Sequence, residues 1–273
     1  SRTIPPIAKE SFARWLRRRR VPESAGKHGV VSLFVDEFTM YSEPALAIRA
    51  IELLERLGYR VETPPLQESG RTWISKGFLR EAKRRIETNL EVLQGSVTAE
   101  RPLIGLEPSA LLTFRDEAMV LASGNLQNVA RDLAPHCLML EEFLQREASA
   151  GRVDSSCFTD EPRTLHLHGH CFQKAFNIVG ATVSALSLPA NYQVQVIPSG
   201  CCGMAGSFGY EQEHYEISMR IGELVLLPAV RDAADTDLIV APGTSCRHQI
   251  HDGAGKRALH PVDVLHEALR QPN

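Results

Sequence analysis

Short apolar runs alternate with helix-length amphipathic stretches along this chain, and the alternation passes through the same order twice. Strands and helices in repeated alternation bury both kinds of element by forming parallel sheets covered by helices. In the first half, Ala8–Arg20 reads as a helix, and Pro22, Ser24 and Gly26 mark a polar linker. Val30–Val35 then reads as a buried strand, Glu43–Leu57 as a helix stopped by Gly58, and Tyr59–Thr63 as a strand. A helix over Gly77–Leu93 and a strand over Pro102–Leu106 follow. In the second half the order returns as a strand at Thr164–Leu167, a helix over Cys171–Leu186, a strand at Val194–Ile197, a helix over Tyr210–Leu227 and a strand at Leu238–Ala241. The repeat reaches single positions: Glu68–Ser69–Gly70 and Cys201–Cys202–Gly203 both precede a long helical stretch. Thr39 lies 132 residues before Cys171, Glu68 lies 133 before Cys201, and Ala110 lies 136 before Cys246. The expected fold class is therefore α/β, with two pseudo-symmetric Rossmann-like lobes and parallel sheets from an internal duplication. The expected boundaries are an N-terminal helix and linker over 1–28, a first lobe over 29–123, a helical linker over 124–162 and a second lobe over 163–273.

Composition narrows the function. The chain has 273 residues and a formal net charge of −3, which gives no general attraction to nucleic acid or to an acidic membrane surface. The basic run Arg17–Arg20 reads as the solvated end of a helix. No stretch approaches the roughly 18 apolar residues that would span a bilayer, and no secretory signal opens the chain. The first residue is Ser, which suggests a piece of a longer polypeptide. Six cysteines are too few for a disulfide scaffold of this length, so their spacing points to metal or catalysis.

Four of them follow predicted strands. His168–Gly169–His170–Cys171, Ser199–Gly200–Cys201–Cys202–Gly203 and Gly243–Thr244–Ser245–Cys246 each sit where a strand hands over to the next element. In parallel sheets ligands gather at the carboxyl ends of strands, so Cys171, Cys201, Cys202 and Cys246 are candidate ligands of one metal centre. Adjacent cysteines point to opposite faces of a strand, so both reach one centre only if the backbone turns. Gly200 and Gly203 permit the turn, and Gly200, Gly203, Gly206 and Ser207 are the expected cofactor-binding positions, with loop N–H groups and a helix N-terminus offered to negative charge. The spacing matches neither the Lys-containing phosphate loop nor the dinucleotide fingerprint. A vicinal disulfide would leave Cys171 and Cys246 without a role, and a thiol hydrolase using Cys246 with His170 or His248 would leave none for Cys201 and Cys202. Zinc on the same four thiols remains the alternative occupant, in a structural or partner-docking module. Cys137 and Cys157 have no patterned partner and read as unligated. His168 and His170 alternate on one face and read as lining the pocket; His170, beside Cys171, is the preferred functional candidate, and His248 a supporting one.

The segments His168–Ala175, Cys201–Gly209 and Gly243–Gln249 resemble the cysteine-rich CCG domain family. That family includes the catalytic subunit of heterodisulfide reductase, the iron–sulfur subunit of glycolate oxidase and the C-terminal part of FAD-linked D-2-hydroxyacid dehydrogenases. The resemblance extends from about Val30 to Leu269 and is strongest to the last branch. It implies one iron–sulfur cluster, of the [4Fe–4S] type, with FAD and ferredoxin-like clusters in a preceding part of the same polypeptide or in a partner chain. It also implies a cytoplasmic oxidoreductase domain, peripheral at a membrane through partners and inactive alone on the hydroxy acid. Electrons would pass from flavin to a small-molecule or quinone-type acceptor.

The chain departs from the family pattern in both lobes. Thr39, Glu68–Ser69 and Ala110 stand where the first lobe would carry cysteines, and Gly243 stands where the last motif would carry its first one. The first lobe therefore lacks thiolates for a cluster, and the second keeps four. Asp36, Glu37, Glu68, Ser69, Arg71, Glu107, Arg115 and Asp116 occupy the matching strand ends of the first lobe. Arg71 and Arg115 are candidates to hold an anionic acceptor or substrate, against the alternative of a salt-bridged surface.

Overall fold

Val30, Val31 and Leu33 make a strand because β-branched and apolar side chains suit a sheet covered on both faces. In the computed structural model, which describes residues 2–270, this strand is β1 (Gly29–Leu33). It is joined by β2 (Tyr59–Glu62), β3 (Leu103–Gly105) and β4 (Cys137–Met139) in the order β2-β1-β3-β4, all parallel. The second half forms β5 (Arg163–Leu167), β6 (Tyr192–Val196), β7 (Leu238–Val240) and β8 (Ala258–Leu259) in the order β6-β5-β7-β8, again all parallel. Two four-stranded parallel sheets of identical strand order make the α/β fold with two Rossmann-like lobes that the repeated pattern leads one to expect. The chain divides into two units: Pro6–Phe143, and a second that begins at Leu144 and takes in the opening residues up to Pro5.

Helices cover the sheets through single apolar stripes. Leu79–Leu93 buries Ala82, Ile86, Leu90 and Leu93, spaced by one turn each, and keeps its many charges outside. Pro44–Arg56 starts on a proline, which has no N–H to leave unpaired, and buries Leu46, Ala47, Ala50, Ile51, Leu53 and Leu54. In the second lobe the packed core includes Ile197, Met204, Leu226, Val230, Ile239, Ala241 and Ile250, and Cys202 and Cys246 belong to it.

Several elements differ from the sequence pattern. The first helix covers only Phe12–Leu16, because Phe12 is its one buried residue and an unpacked helix of that length does not propagate. The helix expected over Cys171–Leu186 is broken into Cys171–Ala175 and Val179–Leu186, with Asn177 between them at a positive φ of 55°. The helix expected over Tyr210–Leu227 is two 3₁₀ turns, Phe208–Tyr210 and Gln212–His214, then the helices Tyr215–Glu223 and Leu226–Asp232. Pro228 lies in the first turn of the last helix, and its missing N–H could not have continued an earlier one. Strands β4 and β8 and the helices Thr244–Ala254 and Pro261–Ala268 have no counterpart in the sequence reading. Two- and three-residue strands are too short to show a period. Thr244–Ala254 buries Arg247 and Gln249 with Ile250, so its inward face is not apolar.

One backbone feature is common to both lobes. Gly70 has φ 84° and Gly203 has φ 95°, and each closes the loop after the edge strand β2 or β6. At Gly203 a Cβ would lie 2.2 Å from the Ser218 backbone oxygen, a group that cannot swing away. A Gly203→Ala protein is therefore expected to lose roughly 1–3 kcal/mol from backbone conformation alone, with the overlap adding to it. Gly200→Ala, where a Cβ meets nothing within 4 Å, is expected to be close to neutral. Denaturant midpoints of the two variants at equal metal loading check this, and equal stability of both would contradict it.

Buried acids make the stability depend on pH. Asp36 is pushed up to about 7 by burial and by the neighbouring Glu37 and Glu107, and burial pushes Glu141 up to about 8. Their ordinary values are 3.8 and 4.5, so between these limits the folded chain holds protons that the unfolded chain has released. Stability from these groups is present at acid pH and falls as pH rises through about 7 and about 8. Glu141→Gln should remove the upper part of the fall. Unfolding midpoints of variant and parent from pH 5 to 9 should diverge upward with pH, by about 1 kcal/mol or more for each unit of raised pKa passed.

Candidate metal centre

Strand β5 is central, with β6 on one side and β7 on the other, so the carboxyl ends of the three strands open onto one place. After β5 the chain runs through His168, Gly169 and His170 into the helix Cys171–Ala175, with Cys171 as its first residue. After β6 it runs through Ile197–Pro198–Ser199–Gly200 to Cys201 and Cys202. After β7 it turns at Gly243 into the helix Thr244–Ala254, with Cys246 in its first turn.

The thiols meet. Cys171 lies beside Cys201, Cys201 beside Cys202 and Cys202 beside Cys246, near enough that each thiol shifts its neighbour's ionisation, and His168 lies beside Cys246. The ligating atoms of His168, Cys202 and Cys246 all lie within 4.8 Å of one another, and all three residues are buried. Without a cation the four thiols divide their protons. Hydrogen bonding to Cys201 holds the Cys171 thiol well above its ordinary range, and bonding to Cys201 and Cys246 does the same for Cys202. The acceptors are pushed the other way: bonds from Cys171 and Cys202 lower Cys201, and the bond from Cys202 lowers Cys246 against the effect of its burial. Four converging sulfurs and a buried imidazole nitrogen are soft donors that suit iron–sulfur or zinc chemistry, so the residues present fit a metal group.

The surroundings hold the loops in place. The Gly203 amide donates to Cys201 Sγ at 3.3 Å. Lys174 Nζ donates to the carbonyls of Ser199 at 2.5 Å and Gly200 at 2.7 Å, tying the first helix to the cysteine-pair loop. Buried Arg247 donates to the carbonyls of Ala241 at 3.1 Å and Pro242 at 2.7 Å, and so fixes the turn ahead of Cys246. His170 caps its helix: Nδ1 accepts the Phe172 amide at 3.2 Å, and the Gln173 side chain accepts the His170 amide at 3.1 Å. Its ring fills the space beside Gly243, where a Cβ would come within 2.4 Å of His170 Cδ2 and 3.3 Å of Cys246 Sγ. Sequence reasoning missed Ser199, Arg247 and Lys174; Ser199 stands two residues before the cysteine pair, which was the only signal for it.

The other candidates are placed as follows. 3₁₀ turns, not a helix, follow the glycines of the cysteine pair; the helix N-termini at this site belong to Cys171 and Cys246. Gly206 has open space around it, and Ser207 precedes the turn Phe208–Tyr210. His248 Nδ1 bonds the Tyr210 hydroxyl. In the first lobe, Arg71 pairs with Glu117 and also donates to Ser109 O and Thr113 Oγ1 at 3.2–3.3 Å. Arg115 makes a two-pronged contact with Glu142 at 2.8 and 2.9 Å. Any anion would compete with these carboxylates. The matching strand ends of that lobe carry acids: Glu37 accepts from Ser69 Oγ at 2.9 Å, and Asp36 and Glu107 cap short helices. Cys137 is buried in β4, where burial pushes its thiol up, and Cys157 lies in the 3₁₀ turn Ser155–Cys157.

No family model matches the chain. Among curated proteins it is 26% identical over 270 residues to one of the subunits of the anaerobic glycerol-3-phosphate dehydrogenase of Escherichia coli, covering 98% of this chain and 66% of that protein. It is 26% identical over 273 residues to the D-2-hydroxyglutarate dehydrogenase of Pseudomonas putida, covering 96% of this chain and 25% of that one. Lactate utilization protein A of Halalkalibacterium halodurans is 24% identical over 246 residues, covering 87% of this chain and 94% of that protein. The chain thus spans just under two thirds of the first of these relatives and a quarter of the second. A crystal structure of a hypothetical protein from Helicobacter pylori has the same fold, with a TM-score of 0.50 at 10% identity over 96% of this chain and 54% of that one. Nearly the whole of the chain is thus homologous to these proteins, and its cysteines gather at three strand ends, as the resemblance to cysteine-rich CCG domains implies.

Proposed function

We propose that the second lobe holds one [4Fe–4S] cluster on Cys171, Cys201, Cys202 and Cys246, and that the chain is the electron-transfer domain of an FAD-linked 2-hydroxyacid dehydrogenase. The observation that carries the reading is the convergence of four thiols, from three strand ends, on one largely buried spot beside an imidazole nitrogen. When bound, such a cluster takes up and gives up single electrons. The residues of this chain bind it, limit its contact with water and set its charge surroundings. The Gly203 amide and the helix N-terminus at Cys246 favour the negative charge on sulfur. The relatives named as dehydrogenases, together with the fraction of each that this chain spans, support a role beside a flavin-bearing part that oxidises the substrate. That part, with ferredoxin-like clusters, is proposed to lie in the same or a partner chain, and a quinone or small molecule is proposed to accept the electrons. Among the described residues no helix is long and apolar enough to cross a membrane, so contact with a membrane would come through partners.

Anaerobic reconstitution tests the cluster. The chain should turn brown, absorb broadly near ~400 nm and bind about four irons and four sulfides. Ser substitutions at Cys171, Cys202 or Cys246 should each abolish most of this, while Cys137→Ser and Cys157→Ser should not. One zinc per chain with no sulfide under those conditions would instead favour the structural-zinc reading. The loaded chain should not oxidise D-lactate or D-2-hydroxyglutarate by itself, and turnover by the isolated chain would sink its role as an electron carrier.

A further inference from the structure

We propose that His168 is a protein ligand of the centre, binding one metal through Nε2 beside Cys202 and Cys246. The inference deepens the cluster reading and rests on it. The donor set would then count five residues: four thiolates and one imidazole.

Burial argues first. His168 is fully buried, and its Nε2 atom has no hydrogen-bond partner. A polar nitrogen removed from water with no partner is costly, and such atoms in a folded protein call for an explanation. Position gives one, because a ring nitrogen of His168 lies within 4.8 Å of both Cys202 Sγ and Cys246 Sγ, and Nδ1 is already turned to Ser199 Oγ.

The other ring nitrogen already has a partner that allows Nε2 to act as the ligand. Nδ1 lies 2.7 Å from Ser199 Oγ, and Ser199 Oγ has its own outlet, the Ile197 carbonyl at 3.4 Å. With the hydroxyl proton directed to that carbonyl, Oγ accepts the proton-bearing Nδ1. Nε2 is left with a lone pair aimed at the thiols. A histidine ligand with its second nitrogen donating to an oxygen is the usual arrangement in metal sites. The anchor is itself held: Lys174 grips the Ser199 carbonyl, and the His168 amide donates to Val240 O at 2.9 Å. His170 is differently used. Its Nδ1 accepts a helix amide, so the neutral ring carries its proton on Nε2 and is a donor rather than a ligand.

An imidazole nitrogen bound in addition to the four thiolates would make the iron that takes it unlike the others. The test uses the full chain, reconstituted anaerobically with ⁵⁷Fe and sulfide and grown with natural or ¹⁵N-labelled histidine. Pulsed EPR of the paramagnetic state should show a strongly coupled nitrogen that changes on histidine labelling, and Mössbauer spectra should show one distinct iron. The coupling should persist in His170→Ala and vanish in His168→Gln. Ser199→Ala, which keeps the ring but removes its anchor, should shift the coupling while iron is retained. This variant serves if His168→Gln fails to load. A loaded protein with no strongly coupled histidine nitrogen, or one whose signal survives His168→Gln or is unmoved in Ser199→Ala, overturns the ligand assignment alone. A chain that binds no iron or sulfide overturns the cluster reading and this ligand with it.

Discussion

Four thiols packed against one another cannot all ionise unless positive charge arrives with them. This constraint governs the second lobe. In the protein alone the sulfurs divide their protons, with Cys171 and Cys202 donating and Cys201 and Cys246 accepting. A cationic metal group would remove the need to divide them. The rest of the lobe keeps the sulfurs close enough for the conflict to exist. Gly203 allows the sharp turn that brings both members of the adjacent pair to one place, and Lys174 and Arg247 clamp the carbonyls on either side of the site. Cys202 and Cys246 are also part of the packed core, so the centre and the hydrophobic interior are continuous.

The first lobe answers the same geometric question with different chemistry. Its strand order repeats that of the second lobe, and its strand ends carry Asp36, Glu37, Ser69 and Glu107. Acids crowded into a buried place can also avoid mutual repulsion by keeping a proton, and Asp36 is raised to about 7 largely by burial. Carboxylates and hydroxyls stand where the second lobe has thiols, so one frame repeated twice carries unlike chemistry at its strand ends. The equivalent turns survive in both, as the positive φ of Gly70 and Gly203 shows.

Legibility followed local signal strength. Strands such as β1 and helices such as Leu79–Leu93 were visible because each displays its period within a single window. The sequence showed less where the inward face is polar or the element is very short. Thr244–Ala254 turns Cys246, Arg247 and Gln249 inward, and β4 and β8 are held in place by their neighbours in the sheet. The expected helix over Tyr210–Leu227 instead gives two 3₁₀ turns before Tyr215 and a restart at Leu226, breaks that helical composition does not mark. At the site, cysteines placed after strands were readable from spacing alone. The difference between His168 and His170 was not, since both sit in one short polar motif and their roles depend on which ring nitrogen finds Ser199 Oγ and which finds a helix amide.

Alone, the sequence determined that this chain alternates strands and helices twice over, that thiols survive in only one of the two halves, and that those thiols follow strands. It did so because period, glycine placement and residue type are local properties. The tertiary structure alone decided that β5 lies between β6 and β7, and hence that loops some thirty and forty residues apart close on the same spot. It also decided which imidazole nitrogen faces the sulfurs and which residues clamp them. These are matters of distance between segments far apart in the chain, and no local pattern encodes them.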